Sequence, residues 1–149
     1  MPKETIGFRN QRSWYQLIDH TADTGFRVRG SSPKELFEHA AFALFDIMAD
    51  LKNVSPDQSK DINLSAADRV SLMVDWLSEL NYFFFTEGLI FSDFEVYDIE
   101  ENHLRARVKG ERYMPAKHII HTEVKAVTYH GMYIRQNKGE WEAQIILDL

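Results

Sequence analysis

The order of helical and strand patterns along the chain constrains its fold more than any other feature. Apolar residues recur at helical spacing in one segment after Ser32 and in another after Asp68. The flanking segments alternate apolar and polar residues, and the alternation resumes after Leu89. Strands, a helix, a short strand, a helix and a run of strands predict an α+β fold. We expect two helices packed on one face of a largely antiparallel β-sheet.

Both predicted helices carry boundary signals. Residues 32–35 (SPKE) form a capping box with proline at the first helical position, and this helix should run to about Ala49. The second helix should begin near Ser65 and Asp68, and Gly88 marks its end. The apolar stripes are Phe37, Ala40, Ala41, Leu44, Ile47 and Met48 in the first helix, and Met73, Trp76, Leu77, Leu80, Phe83 and Phe84 in the second.

The strand segments are short and are separated by turn residues. Turns are indicated at His130-Gly131 and at 137–139. The arm at residues 1–12 has no pattern of its own, so residues 13–149 are predicted to form a single domain. The predicted strands are 14–18, 26–29, 62–64, 104–109, 124–129, 132–135 and 141–147.

Composition excludes several classes of protein. The 149 residues include no cysteine, which rules out disulfides and thiolate metal sites and suggests a cytoplasmic protein. The polar N-terminus lacks the apolar core of a signal peptide, and the dense apolar run at 80–85 is too short to cross a membrane. At a net charge of −6, little or no direct binding of nucleic acid is expected, although a local basic patch remains possible.

The polar stretch at residues 19–25 (DHTADTG) joins two apolar patterns. It holds two carboxylates and an imidazole within five residues, Asp19, His20 and Asp23. One interpretation is a site loop in which Asp23 or Asp19 is an oxygen ligand or proton carrier. The other is a turn, in which Asp and Thr side chains bond their own backbone and Gly25 supplies a positive φ.

The last predicted strand runs to the end of the sequence. Leu147 falls on its apolar face, which places Asp148 on the opposite face. Asp148 and the carboxylate of Leu149 would be adjacent hard oxygen donors, and Asp23 would add a third if the loop lies beside them. Such donors suit Ca²⁺ or Mg²⁺. The alternative is a frayed terminus, and spacing alone does not show whether the two ends of the chain meet.

Other candidate sites are weaker. No phosphate-binding glycine loop, zinc-binding His-Glu-x-x-His pair or serine nucleophile elbow occurs in the sequence. His118 and His121 could be a metal pair, but outside a helix they are predicted to be exposed loop residues. His130 is predicted to be a turn residue. Lys125 could bind an anion or a partner, or pair with a glutamate of the same sheet, Glu123 or Glu142.

Basic residues alternate along two predicted strands. They could form a phosphate-binding patch, but a solvated sheet face is the more common outcome for such a pattern. These residues are Arg27, Arg29, Arg105, Arg107 and Lys109.

Five motifs in order resemble the archease family. They cover nearly the whole chain after the N-terminal arm, and their combination is specific although none is specific alone. The motifs are DHTADTG at 19–25, ELFEHAAFALFDIMAD at 35–50, DWLSELNYFFFTEGLIF at 75–91, TEVKAVTYHGM at 122–132 and AQIILDL at 143–149.

The resemblance implies a divalent-metal site, usually calcium. By position its ligands are Asp23, Asp148 and Leu149, the last through its backbone or terminal carboxylate. Members often end in Asp-Ile and carry isoleucine where this chain has Thr24; neither difference removes a donor atom. Lys125 matches a motif lysine and is expected to contact the partner or the site. Three further residues match the family motifs and are expected to support the metal site, namely Asp19, His20 and His130.

The resemblance also implies a function without catalysis. Archeases assist the tRNA-splicing RNA ligase, which joins 2′,3′-cyclic-phosphate or 3′-phosphate ends to 5′-hydroxyl ends, by promoting its guanylylation and repeated turnover. The alternative is a metal-dependent hydrolase or phosphotransferase with Asp23 and Asp148 around Mg²⁺ and His20 as base. A third interpretation is a general adaptor in which the metal only stabilises the fold.

Overall fold

The computed structural model describes residues 13–19 and 24–149. Within these residues the chain forms seven strands and two helices, and a short 3-10 turn at Leu51–Asn53 follows the first helix. The helices are α1 (Pro33–Met48) and α2 (Arg69–Glu87). The strands are β1 (Tyr15–Asp19), β2 (Thr24–Gly30), β3 (Gln58–Ser65), β4 (Leu89–Glu100), β5 (His103–Arg112), β6 (Ala126–Asn137) and β7 (Glu140–Asp148).

The predicted signals set the helix ends. The hydroxyl of Ser32 accepts the backbone N–H of Glu35 at 3.1 Å. The Glu35 carboxylate accepts the N–H of Ser31 at 2.8 Å, one residue earlier than a capping box would place it. Asp68 caps α2 by accepting the N–H of its third residue, and Gly88 ends α2 with φ 69°. Both helix predictions are confirmed.

The strands form two antiparallel sheets, whereas the sequence suggested one. The four-stranded sheet has the order β1-β2-β7-β6, and the three-stranded sheet has the order β3-β5-β4. The α+β class is confirmed. Alternation along a strand shows which face is buried, but it does not show which other strands share the sheet.

Strand β6 differs from its prediction. The segments at 124–129 and 132–135 belong to one strand that begins at Ala126, and His130-Gly131 lies inside it rather than in a hairpin turn. The register against β7 shifts between Thr128 and Tyr133, and Gly131 has φ 71°. The turn signal thus marks a bulge in a continuous strand.

The helices connect the two sheets. Helix α1 contacts β2 and β7 of one sheet and β4 of the other, while α2 contacts β6 and all three strands of the smaller sheet. Trp76 of α2 is fully buried, and its indole N–H donates to the carbonyl of Phe37 in α1 at 2.9 Å. Phe45 of α1 meets Phe91 of β4 edge-on, with ring centroids 5.6 Å apart. Among the described helices, neither is long and apolar enough to cross a membrane.

Candidate functional site

The flanks of the DHTADTG loop lie beside the C-terminal end of β7. Thr24, a residue of this motif and the first of β2, pairs with Leu147, and the backbone of Asp19 pairs with Thr24. Asp23, His20 and the side chain of Asp19 lie outside the described residues. The structure therefore brings the chain on both sides of the loop to the strand end that carries Asp148.

Asp148 is held in the sheet rather than frayed. It is the last residue of β7, it pairs with Ala126 of β6, and its carbonyl accepts the N–H of Lys125 at 2.7 Å. Its side chain is exposed, whereas Leu147 before it is buried, as the alternation predicted. Leu149 follows and is 42% exposed. The carboxylate of Asp148 thus projects into solvent from a backbone that is fixed by pairing.

Lys125 lies at the same end of the sheet. Its backbone bonds to Asp148, and its side chain is exposed. Glu142 is not its partner, because that carboxylate accepts from Tyr133 at 2.7 Å and from Arg135 at 3.0 Å. No ion pair between described residues involves Lys125 or Glu123. Lys125 is therefore available for a ligand or a partner.

The oxygen atoms at this end of the sheet suit a hard cation, but the described residues supply only some of the ligands that such an ion needs. Asp148 and Leu149 offer oxygen atoms, which Ca²⁺ and Mg²⁺ prefer. Residues 13–19 and 24–149 contain no group of three or more His, Cys, Asp or Glu side chains that could hold a metal. A complete coordination sphere would need donors from the loop whose flanks meet β7.

His130 lies on the bulge of β6 and is exposed. The bulge folds over the outer face of β7, where the amide of Gln144 donates to the carbonyl of Gly131 at 2.8 Å. A Cβ added at Gly131 would lie 3.4 Å from Ile146, so the bulge backbone lies directly over that side chain. The bulge places His130 on the strand that Lys125 immediately precedes.

His118 is buried, and its predicted exposure is wrong. Its Nε2 lies 2.9 Å from a carboxylate oxygen of Glu111, and its Nδ1 accepts the N–H of Met114 at 2.9 Å. Because Nδ1 accepts, Nε2 carries the proton and donates to Glu111. Both ring nitrogens are thus bonded within the protein, which argues against a metal pair with His121. The sequence contains no pattern that would have paired His118 with Glu111.

Glu111 is the centre of that buried group. The ammonium of Lys117 lies 2.8 Å from its carboxylate, and the N–H of Ser55 donates to it at 3.0 Å. These contacts, led by the Lys117 hydrogen bond and assisted by that of His118, lower the pKa of Glu111 from 4.5 to about 2. The group fixes the segment that leads from β5 toward Lys125.

The basic residues do not form one patch. Arg27 and Arg29 lie on β2 of the four-stranded sheet, whereas the other three lie on β5 of the three-stranded sheet. On β5, Arg107 pairs with Asp61 at 2.9 Å, and the Arg105 guanidinium lies 5.7 Å from the ring centroid of Tyr97. The alternating pattern predicted strands correctly but joined residues of two separate surfaces.

The sequence is similar to those of known proteins over nearly its whole length. The sequence profile of the archease protein family (MTH1598/TM1083) matches residues 15–149. Protein archease of Methanopyrus kandleri is 41% identical over 138 residues, covering 91% of this chain and 99% of that protein. Protein archease of Methanosarcina mazei is 38% identical over 144 residues, covering 94% and 99%.

Two solved structures share the fold. The solution structure of Methanobacterium thermoautotrophicum protein 1598 superposes with a TM-score of 0.78 at 35% identity, covering 93% of this chain and all of that one. A crystal structure from Thermotoga maritima, described as an archease and possible chaperone, superposes with a TM-score of 0.60 at 20% identity, covering 90% and 96%. Because its sequence identity is only 20%, the Thermotoga maritima structure supports the fold alone. By its sequence over residues 15–149, the chain belongs to the archease family.

Proposed function

We propose that this protein is a cytoplasmic, non-catalytic cofactor of an RNA ligase of the tRNA-splicing type. It would promote guanylylation of the ligase and allow repeated joining of 2′,3′-cyclic-phosphate or 3′-phosphate ends to 5′-hydroxyl ends. Family membership supports this role. The observation that carries it is the pairing of Thr24 with Leu147, which brings the flanks of the motif loop to the exposed carboxylate of Asp148.

The proposed metal ligands are Asp23, Asp148 and Leu149. Asp19, His20, Lys125 and His130 would surround them. Calcium is the expected ion, with Mg²⁺ or another divalent cation as substitutes, because the donors are hard oxygens. A bound cation would supply a positive charge linking the loop to the end of β7. The protein's own contribution is a strand end held by pairing on both sides.

The ligase is proposed to dock at this end of the four-stranded sheet. The exposed side chains of Asp148 and Lys125 carry opposite charges, and Tyr129 nearby on β6 is 57% exposed. Aromatic side chains in exposed positions are common anchors of protein interfaces. To promote guanylylation, the protein must bind more tightly to the ligase conformation that reacts with GTP than to the others.

The test is a guanylylation and multiple-turnover ligation assay with the RNA ligase of the same organism. Wild-type protein should accelerate guanylylation, and Asp148→Asn or Asp23→Ala should reduce the acceleration at least about tenfold, as expected for loss of a metal ligand. Glu140→Gln is the matched control, because Glu140 is exposed at the opposite end of β7. Calcium titration by calorimetry should show the same ranking of variants.

The outcomes separate the alternatives. An inactive wild type would refute the cofactor role, and full activity of a folded Asp148→Asn protein would refute the site. Hydrolysis of phosphodiesters by the isolated wild type, lost in Asp148→Asn, would favour a metal-dependent hydrolase. Parallel loss of stability and ligase binding in both variants would favour an adaptor whose metal only stabilises the fold.

A further inference from the structure

A cavity of about 600 Å³ lies on the outer face of the four-stranded sheet, away from the buried core. Its size falls within the range of small-ligand sites. Three arginines, one glutamate and two aromatic rings carry its chemistry, namely Arg27, Arg29, Arg135, Glu142, Trp14 and Tyr133.

The strand register explains why these charges meet. Arg29 of β2 is opposite Glu142 of β7, and Glu142 is opposite Arg135 of β6. Directly opposed residues share one face of a sheet, and neighbouring strands are about 4.8 Å apart. One carboxylate thus lies between two guanidinium groups, and among residues 13–19 and 24–149 only Arg135 forms an ion pair with it, at 3.0 Å.

A second set of opposed residues on the same three strands completes the basic lining of the cavity. Arg27 of β2 is opposite Gln144 of β7, which in turn is opposite Tyr133 of β6. The Nε of Arg27 donates to the Gln144 amide oxygen at 2.9 Å, and its terminal nitrogens form no hydrogen bond with another described residue. Tyr133 donates its hydroxyl proton to Glu142. The side chains of this row are held in place by neighbours within the sheet.

Two features bound the cavity along the strands. At one end the bulge of β6 covers Ile146, the next outward residue of β7. At the other end Arg29 donates to the carbonyl of Ser13, and the ring of Trp14 stacks on His39 with centroids 3.8 Å apart. The arginines therefore line a bounded cleft instead of an open sheet face.

The charge of the cleft selects the chemistry of its ligand. Three guanidinium groups and one carboxylate give a net charge of +2 in a chain whose net charge is −6. A phosphate monoester carries a charge of about −1.5 to −2 near pH 7, whereas a carboxylate carries only −1. A guanidinium group can donate two parallel hydrogen bonds to the oxygens of a phosphate, and an aromatic ring such as that of Tyr133 is a typical neighbour of a base.

We infer that this cleft binds the terminal phosphate monoester of a nucleotide, either free or at the end of an RNA chain. The inference uses only the outer face of the sheet and does not rest on the proposed ligase role or on a metal. It revises the expectation of little nucleic-acid contact, which rested on overall charge.

The test is titration of the full-length protein, followed by NMR signals of the arginine side chains and by calorimetry. The probes are inorganic phosphate, guanosine 5′-monophosphate, and an oligoribonucleotide that ends in either a 3′-phosphate or a 3′-hydroxyl. Arg29→Gln and Arg135→Gln should each weaken binding about tenfold, as expected for loss of one charge-assisted contact. Glu142→Gln should strengthen binding, because it removes the only carboxylate among the described residues of the lining.

Arg107→Gln is the matched control, since Arg107 is an exposed strand arginine on the other sheet. Binding of guanosine monophosphate without the RNA would identify a free nucleotide, and preference for the 3′-phosphate RNA over its 3′-hydroxyl form would identify an RNA end. The inference is overturned if no phosphate probe binds, if Arg107→Gln weakens binding equally, or if a glutamate-rich peptide binds as tightly.

Discussion

The two sheets arrange similar charged residues in opposite ways. In the three-stranded sheet, Arg107 of β5 lies between Asp61 of β3 and Glu95 of β4, so this cation faces acids on both sides. The other two cations of β5, Arg105 and Lys109, each face one acid of β4. In the four-stranded sheet the order is reversed, and Glu142 lies between Arg29 and Arg135. Every cation of β5 in the smaller sheet thus has at least one acid opposite it, whereas two arginines of the larger sheet share one glutamate. Net charge and alternating patterns describe both sheets equally and do not distinguish them.

The largest expected effect tests whether the sheets are one cooperative structure. Trp76→Ala removes a fully buried ring from α2, which contacts both sheets, and leaves the carbonyl of Phe37 without its donor. We expect a loss of about 4 kcal/mol in the free energy of unfolding. Urea denaturation followed by circular dichroism and by fluorescence should show one shifted transition.

Tyr82→Ala is the control for that change, because Tyr82 is on the same helix but 59% exposed. It should alter the free energy of unfolding by less than about 0.5 kcal/mol. Two separate transitions in Trp76→Ala protein would mean that the sheets unfold independently.

A matched pair of glycine substitutions separates the roles of the sheets. A Cβ at Gly25 would overlap the carbonyl oxygen of Ile145 between β2 and β7, and one at Gly110 would overlap that of Ile90 between β5 and β4. Each alanine should cost about 2 kcal/mol. Only Gly25→Ala should also weaken binding at the proposed calcium site, since it moves β2 against β7. Equal calcium affinity in the two variants, measured by calorimetry, would contradict this assignment.

A smaller effect concerns pH and the segment after β5. The pKa of Glu111 is lowered to about 2 in the folded protein from its ordinary value of 4.5. Its stabilising contribution is therefore complete above about pH 5 and declines as the pH falls toward 2, because the unfolded chain takes up the proton first. In denaturation at pH 7 and pH 3, Glu111→Gln should lose less stability on acidification than the wild type does. Glu95→Gln, which alters an exposed acid of the same sheet, should behave like the wild type.

The smallest expected effect measures the charge contrast directly. At low salt, Glu142→Gln should lower the unfolding temperature slightly, corresponding to less than about 1 kcal/mol, because Arg29 and Arg135 lose the carboxylate between them. High salt should reduce the difference by screening the two cations. Asp61→Asn should shift the temperature less, since Arg107 keeps Glu95 opposite. A larger shift for Asp61→Asn would reverse the comparison.

The sequence predicted local structure better than long-range contacts. The caps at Ser32 and Gly88 act within one turn of chain and occur as expected. The second helix begins later than its signal at Ser65 suggested, because Asp68 is its cap and Ser65 ends β3. The burial of His118 depends on Glu111 and Ser55, and no periodic pattern in the sequence predicts contacts between these segments. The division into two sheets likewise depends on pairing between strands that are far apart in the sequence.

The candidate site was predicted only in part for the same reason. Chemistry and position singled out Asp148, and the structure confirms its exposure and its pairing at the end of β7. That the loop flanks lie beside it came from family resemblance, because the pairing of Thr24 with Leu147 joins distant parts of the chain. The cleft was missed, since its third arginine, Arg135, lies on a strand that the prediction had divided at His130-Gly131.

The pairing of β2 with β7 also has a consequence for synthesis on the ribosome. Arg27 and its neighbour Gln144 are separated by 117 positions, so β2 emerges long before the strand that covers its edge. All strands of the smaller sheet are complete by residue 112, and that sheet can form earlier. A nascent chain that lacks β7 therefore exposes an uncovered edge of β2, on which another polypeptide can add a strand. The emergence of β7 removes this hazard and brings Asp148 into place at the same moment.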